Sequence, residues 1–130
     1  MFTLNYSYRI YPSLEQEARM AAWLEACRGV YNYALRERKD WIKSRSCGAN
    51  ACSLQAEYII AADAPYPDYY KQQNALTKAK KLFPHMKDVQ SQVLQEPIRR
   101  VEAAFAARKV RGHGFPRFKK FGQYRSFLFP

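Results

Sequence analysis

The sequence predicts an α+β fold that is mainly helical, with a strand at each end. Three observations predict it: a clean apolar/polar alternation over residues 2–11, apolar residues at helical spacing through much of 13–108, and a short aromatic run at 124–129. A chain of 130 residues is one domain with one core. Within the domain 1–130 the expected parts are a strand (1–12), a helical part (13–108), and a basic aromatic loop and strand (109–130). Neither strand would be stable alone, so pairing across the helical insertion is expected.

In the first segment Phe2, Leu4, Tyr6, Tyr8 and Ile10 fall on one side, and Thr3, Asn5, Ser7, Arg9 and Tyr11 on the other. Pro12 ends it, because proline cannot donate to a ladder. Ser13 followed by Gln16 is a capping box, so a helix begins there, with Leu14, Ala18, Ala21 and Leu24 as its stripe. At Cys27-Arg28-Gly29 that helix breaks or weakens, since glycine costs ~1 kcal/mol relative to alanine in a helix interior. Two helices joined by a three-residue turn would make a helix-turn-helix; one long bent helix is the alternative. Beyond the glycine, Tyr31, Leu35, Arg38 and Ile42 share a face.

Cys47 and Cys52 would supply half a zinc site, but no second pair exists and His85 and His113 stand apart, so no metal is expected. Pro65 and Pro67 break the chain again. A helix resumes over 71–83, with Leu76, Ala79 and Phe83 inward and Lys78, Lys80 and Lys81 outward, until Pro84 stops it. The last helix opens at Asp88 or Ser91 and carries Leu94, Ile98, Val101, Phe105 and Arg108 at helical spacing. Pro97 lies inside it, which implies a kink or a later start.

Charge narrows the function. Lysine and arginine number 22 against 11 acids, a net +11, which favours an anionic partner such as nucleic acid or a lipid surface. No apolar run reaches the ~20 residues of a membrane span and no signal-peptide pattern opens the chain, so a cytoplasmic location with reduced thiols is expected, without a membrane partner. The charge is concentrated at the end: Arg108, Lys109, Arg111, Arg117, Lys119, Lys120 and Arg125 follow the last acid, Glu102. Phenylalanine and tyrosine alternate with these cations, a pattern suited to phosphate neutralisation and base stacking.

No phosphate-binding glycine loop, nucleophile elbow or zinc-protease motif is present, and the acids do not cluster, so neither a catalytic centre nor a cofactor is expected. Binding is what remains. The candidate contacts are Lys109, Arg111, Arg117, Lys119, Lys120 and Arg125, joined by Arg9, Arg28 and Asn32; an Asn32 on a helix in a major groove would read an adenine edge.

Several stretches carry a family likeness: Arg9-Ile-Tyr-Pro-Ser-Leu-Glu-Gln-Glu17, Cys27-Arg-Gly-Val-Tyr-Asn-Tyr-Ala-Leu35, Leu76-Thr-Lys-Ala-Lys80, Ser91-Gln-Val-Leu-Gln95, Ala104-Phe105 and Gly114-Phe-Pro-Arg-Phe-Lys-Lys120. In this order they resemble the opening boxes of TnpB/OrfB proteins, the insertion-sequence transposase-associated proteins related to type V CRISPR effectors. The resemblance implies the amino-terminal, helix-turn-helix region of an RNA-guided DNA endonuclease. Its terminal strands would belong to an incomplete wedge-like β-barrel and its helices to a recognition lobe, gripping guide RNA and DNA by backbone and shape. Arg28, Tyr31 and Asn32 fill one family box, and Pro116, Arg117, Phe118, Lys119 and Lys120 another. The family's nuclease carboxylates and zinc cysteines lie downstream of this region. A binding fragment without catalysis is therefore expected, with the remainder of the nuclease as a partner if the gene is split. The alternatives are a free-standing helix-turn-helix DNA-binding regulator and an assembly module whose charge serves solubility or lipid contact.

Overall fold

The structure, a computed structural model, describes residues 2–46, 63–112 and 114–129. Its elements are α1 (Leu14–Ser46), α2 (Tyr69–Leu82), a 3-10 turn (Pro84–Asp88) and α3 (Ser91–Arg111). The described residues contain no strand, which corrects the α+β expectation and, with it, the incomplete barrel. The alternation over residues 2–11 is real, but a ladder needs a neighbour's N–H and C=O groups, and alternation cannot supply them. Phe2, Leu4, Tyr6, Tyr8 and Ile10 are all exposed. At the other end, residues 124–129 are held by ring contacts to helices instead of by a strand partner.

The capping box forms as the sequence predicts: Ser13 N donates to Gln16 Oε1 at 3.0 Å, and Gln16 N to Ser13 Oγ at 3.3 Å. From there α1 runs 33 residues, about 50 Å at the helical rise, without a break at Cys27-Arg28-Gly29. The turn of a helix-turn-helix is thus absent at that point. Gly29 is exposed and a Cβ there would meet nothing, so its cost is the intrinsic ~1 kcal/mol. Its buried neighbours Ala26, Cys27, Val30 and Tyr31 outweigh that, at roughly 1.5–3 kcal/mol for each large side chain. The expected stripe at the start of α1 is also corrected. Leu14, Ala18 and Ala21 are exposed and only Leu24 packs on the core, because no sheet covers the first turns.

The core lies between α1 and α3, with α2 and the 3-10 turn closing one side. Ala26, Cys27, Val30, Tyr31, Ala34 and Leu35 face Val93, Leu94, Ile98, Val101 and Phe105, while Leu76, Met86 and Val89 complete it. Asp68 caps α2 by accepting from Lys71 N at 2.9 Å. Phe83, expected inward, is 52% exposed because the helix ends just before it. Arg38 is fully buried among the apolar residues. Its Nε donates to Gln72 Oε1 at 2.9 Å, its Nη2 pairs with the Glu102 carboxylate, and Gln72 Nε2 donates to Ala34 O at 2.9 Å. One guanidinium thus ties three helices together: Gln72 accepts from Nε, and the Glu102 carboxylate offsets the charge at Nη2 without an aligned hydrogen bond.

Pro97 does not delay α3, which starts six residues earlier at Ser91. Proline's missing N–H leaves the carbonyl of Val93 without its helical donor. Cys27 of α1 meets that carbonyl, with Sγ 3.9 Å from Val93 O. Burial pushes the thiol up to about 11, so it stays protonated and able to donate. The two positions are therefore energetically coupled. In a denaturation cycle of Cys27→Ala, Pro97→Ala and the double variant, the cost of losing the thiol should be about 0.5–1 kcal/mol smaller in the background where alanine replaces Pro97 and supplies an N–H. Strict additivity would show that the thiol merely fills space.

Candidate nucleic-acid interface

α3 ends at Gly112, whose φ of 70° lets its N–H bond to Arg108 O at 3.1 Å and redirects the chain. Residues 114–129 then run antiparallel to α1 while touching α3. Phe115 meets Phe105 edge-on at 6.4 Å, under the guanidinium of Arg108 at 3.7 Å. Phe118 lies beneath Lys39, with Nζ 4.7 Å from the ring centroid. Lys120 to Gln123 form a β-turn, closed by Gln123 N donating to Lys120 O at 3.0 Å, with Gly122 supplying the positive φ of 80°. Tyr124 is buried against Tyr31 at 5.9 Å, with Arg100 5.1 Å over its ring. Arg100 Nη1 donates to Ser126 O at 3.1 Å. Phe127 and Phe129 close on Trp23 at 5.6 and 5.8 Å and on each other at 5.7 Å.

The polar anchor of this tail is Asn32. Its Nδ2 donates to Lys119 O at 2.9 Å and its Oδ1 accepts from Lys119 N at 2.9 Å. One side-chain amide thus replaces the strand neighbour that Lys119 lacks. Arg28 reinforces it, Nη1 donating to the same carbonyl at 3.1 Å while Nε is shared between the Glu25 carboxylate oxygens at 3.0 Å. The Arg28 hydrogen bonds hold the Glu25 carboxyl below its usual range, and Glu25 in turn raises Arg28.

The family-box residues Arg28 and Asn32 therefore meet Lys119 directly, and Tyr31 lies under that lysine, Nζ 5.8 Å from its ring. Tyr31 is buried, so its ring belongs to the core. The Asn32 amide that the sequence offers to an adenine edge is engaged by the Lys119 backbone. Lys109, Arg111, Arg117, Lys120 and Arg125 are exposed, and no described carboxylate lies within ion-pairing distance of them. Arg9 lies on the amino-terminal segment, its guanidinium 5.4 Å over Tyr11. Cys47, Cys52 and His113 lie outside the described residues. Among the described ones, no group of three or more His, Cys, Asp or Glu side chains is placed to hold a metal, and no helix is long and apolar enough to cross a membrane.

Sequence reasoning missed a cleft of about 510 Å³ beside the anchor, where Asn32, Tyr33, Arg36, Lys39 and Lys43 on α1 face Phe118 of the tail. Burial, and then the nearby Lys43 charge, depress Lys39. The basic residues 36, 39 and 43 do recur at helical spacing, a signal available in the sequence. The partner wall, Phe118, could only come from the fold.

Because Asn32 supplies two of the tail's hydrogen bonds, Asn32→Ala should lower stability by about 1–3 kcal/mol. It should also hasten tryptic cleavage after Arg117, Lys119 and Lys120. Unchanged cleavage would mean that the ring contacts alone hold the tail.

Comparison with known proteins adds one match. Residues 1–47 match the family model of the OrfB helix-turn-helix domain of IS605-type elements. Neither the curated proteins nor the solved structures give a match to the chain. The matched region includes Arg28 and Asn32, the residues that anchor the basic tail. The amino-terminal 47 residues thus match the helix-turn-helix domain of OrfB/TnpB transposase-associated proteins, while α1 runs through Gly29 without the turn that name describes.

Proposed function

We propose that this chain is a nucleic-acid-binding module of a transposon-encoded OrfB/TnpB-like system. It grips DNA and guide RNA through the basic aromatic tail on α1 and performs no catalysis itself. A helix-turn-helix domain of this type implies DNA binding, and the remainder of an RNA-guided nuclease is the partner that the family likeness suggests. The observation that carries the reading is the tail: its exposed cations have no described carboxylate partner, and its backbone is fixed to α1 through Asn32. A fixed cationic ridge can follow a sugar-phosphate strand by charge and shape, leaving sequence readout to base pairing. Arg28 and Asn32 act as positioning residues, while Lys109, Arg111, Arg117, Lys120 and Arg125 contact phosphate. Arg9, Lys119 and Phe118 lie at the edge of that surface. The free-standing regulator is less well supported, because α1 offers no second helix across a turn to enter a groove.

Binding to duplex DNA and to structured RNA should fall with salt, with a log–log slope of about −3 to −5 on duplex. Replacing Arg117 and Lys120 together by alanine should reduce that slope by about 2 and weaken all sequences alike. A slope near zero would overturn the proposal.

A further inference from the structure

We propose that the cleft between residues 33–43 of α1 and Phe118 is a seat for one unpaired nucleotide, with its base stacked on an aromatic ring and its phosphate at Lys39. The inference rests on the nucleic-acid reading and deepens it by naming the kind of strand this part of the surface takes. About 510 Å³ is within the range of small-ligand pockets and suits one nucleotide. Its walls are of two kinds. Tyr33 is 67% exposed and Phe118 47% exposed, so both rings leave surface for a base. Lys39 holds its ammonium 4.7 Å from the Phe118 centroid, next to the charge of Lys43. Burial and the neighbouring Lys43 charge disfavour the Lys39 ammonium, and a phosphate at Lys39 relieves it.

Geometry explains why the occupant is unpaired. In a duplex each base stacks on its neighbours and shows only its edge, whereas an unpaired base can lay its face on a side-chain ring. Asn32 holds Lys119, and so its neighbour Phe118, against α1, giving the cleft a fixed width before any ligand arrives. The Arg36–Asp40 ion pair at 3.6 Å adds a polar rim within reach of a base edge.

The test compares a single-stranded RNA, a single-stranded DNA and a blunt duplex of equal length, binding to the full chain. Each single strand carries one 2-aminopurine. Tyr33→Ala and Phe118→Ala should each weaken single-strand binding by at least about fivefold, the lower end of one base–ring stack, and Tyr33→Ala should leave duplex binding within about twofold. The fluorescence quench on binding the intact protein should disappear in Phe118→Ala. Tyr33→Ala keeps the proposal testable if Phe118→Ala loosens the tail, since Tyr33 belongs to α1 and its ring is largely exposed. The RNA and DNA arms identify which strand supplies the nucleotide. Equal losses on single strand and duplex, or no quench with the intact protein, would overturn the seat while leaving the wider reading intact. If the intact protein binds none of the three, that wider reading fails first.

Discussion

The pairing of Asn32 with both backbone groups of Lys119 is the constraint on which the functional surface depends. Without it, residues 114–129 would be held by ring contacts and by the Arg28 and Arg100 hydrogen bonds to Lys119 O and Ser126 O, with the Lys119 N–H left unpaired. With it, the tail has a fixed direction along α1, and the ring contacts on either side fall into place: Phe118 under Lys39, Tyr124 on Tyr31, and Phe127 and Phe129 on Trp23. Of those rings Tyr124 is buried, and the cations Arg117, Lys120 and Arg125 along the same stretch are exposed. A strand neighbour would have satisfied Lys119 in the same way; here a single side chain does so.

Behind that surface the helical core solves two local conflicts. Arg38 brings a charge into an apolar interior and offsets its cost by binding Gln72 and Glu102, so the burial links α1, α2 and α3. Pro97 removes a donor from α3, and Cys27 offers its thiol to the abandoned carbonyl. In each case a residue unfavourable to its own element is compatible with the fold because another helix supplies the missing partner. These contacts fall between residues 27 and 38 of α1, the stretch to which the tail is tied.

The sequence made some of this legible. The capping box at Ser13 and Gln16, the inward face of Tyr31, Leu35 and Arg38, and the apolar register of Leu94, Ile98, Val101 and Phe105 were readable because helical periodicity and capping are local. The strands were misread because alternation reports a two-sided segment, whereas a sheet also requires a partner at another place in the chain. The choice between a break and one long helix at Gly29 stayed open for a related reason: it is decided by burial against α3, a helix distant in the chain, which outweighs the local cost of one glycine. Phe127 and Phe129 close on Trp23, a partner near the other end of the chain that no local pattern indicates. The Asn32–Lys119 pairing spans 87 residues, and no pattern in either neighbourhood announces it. The cations of the tail were evident from composition, and the cleft beside them was not.

The most direct measurement of the central claim is amide hydrogen exchange of Lys119 in the full chain. Its N–H donates to Asn32 Oδ1 at 2.9 Å, although it belongs to no helix or strand. It should exchange far more slowly than the amides of Arg117 and Arg125, with protection approaching that of the α1–α3 core. Exchange of Lys119 at the rate of an unstructured peptide would mean that the tail is not held on α1, and the cationic ridge would lose its physical basis.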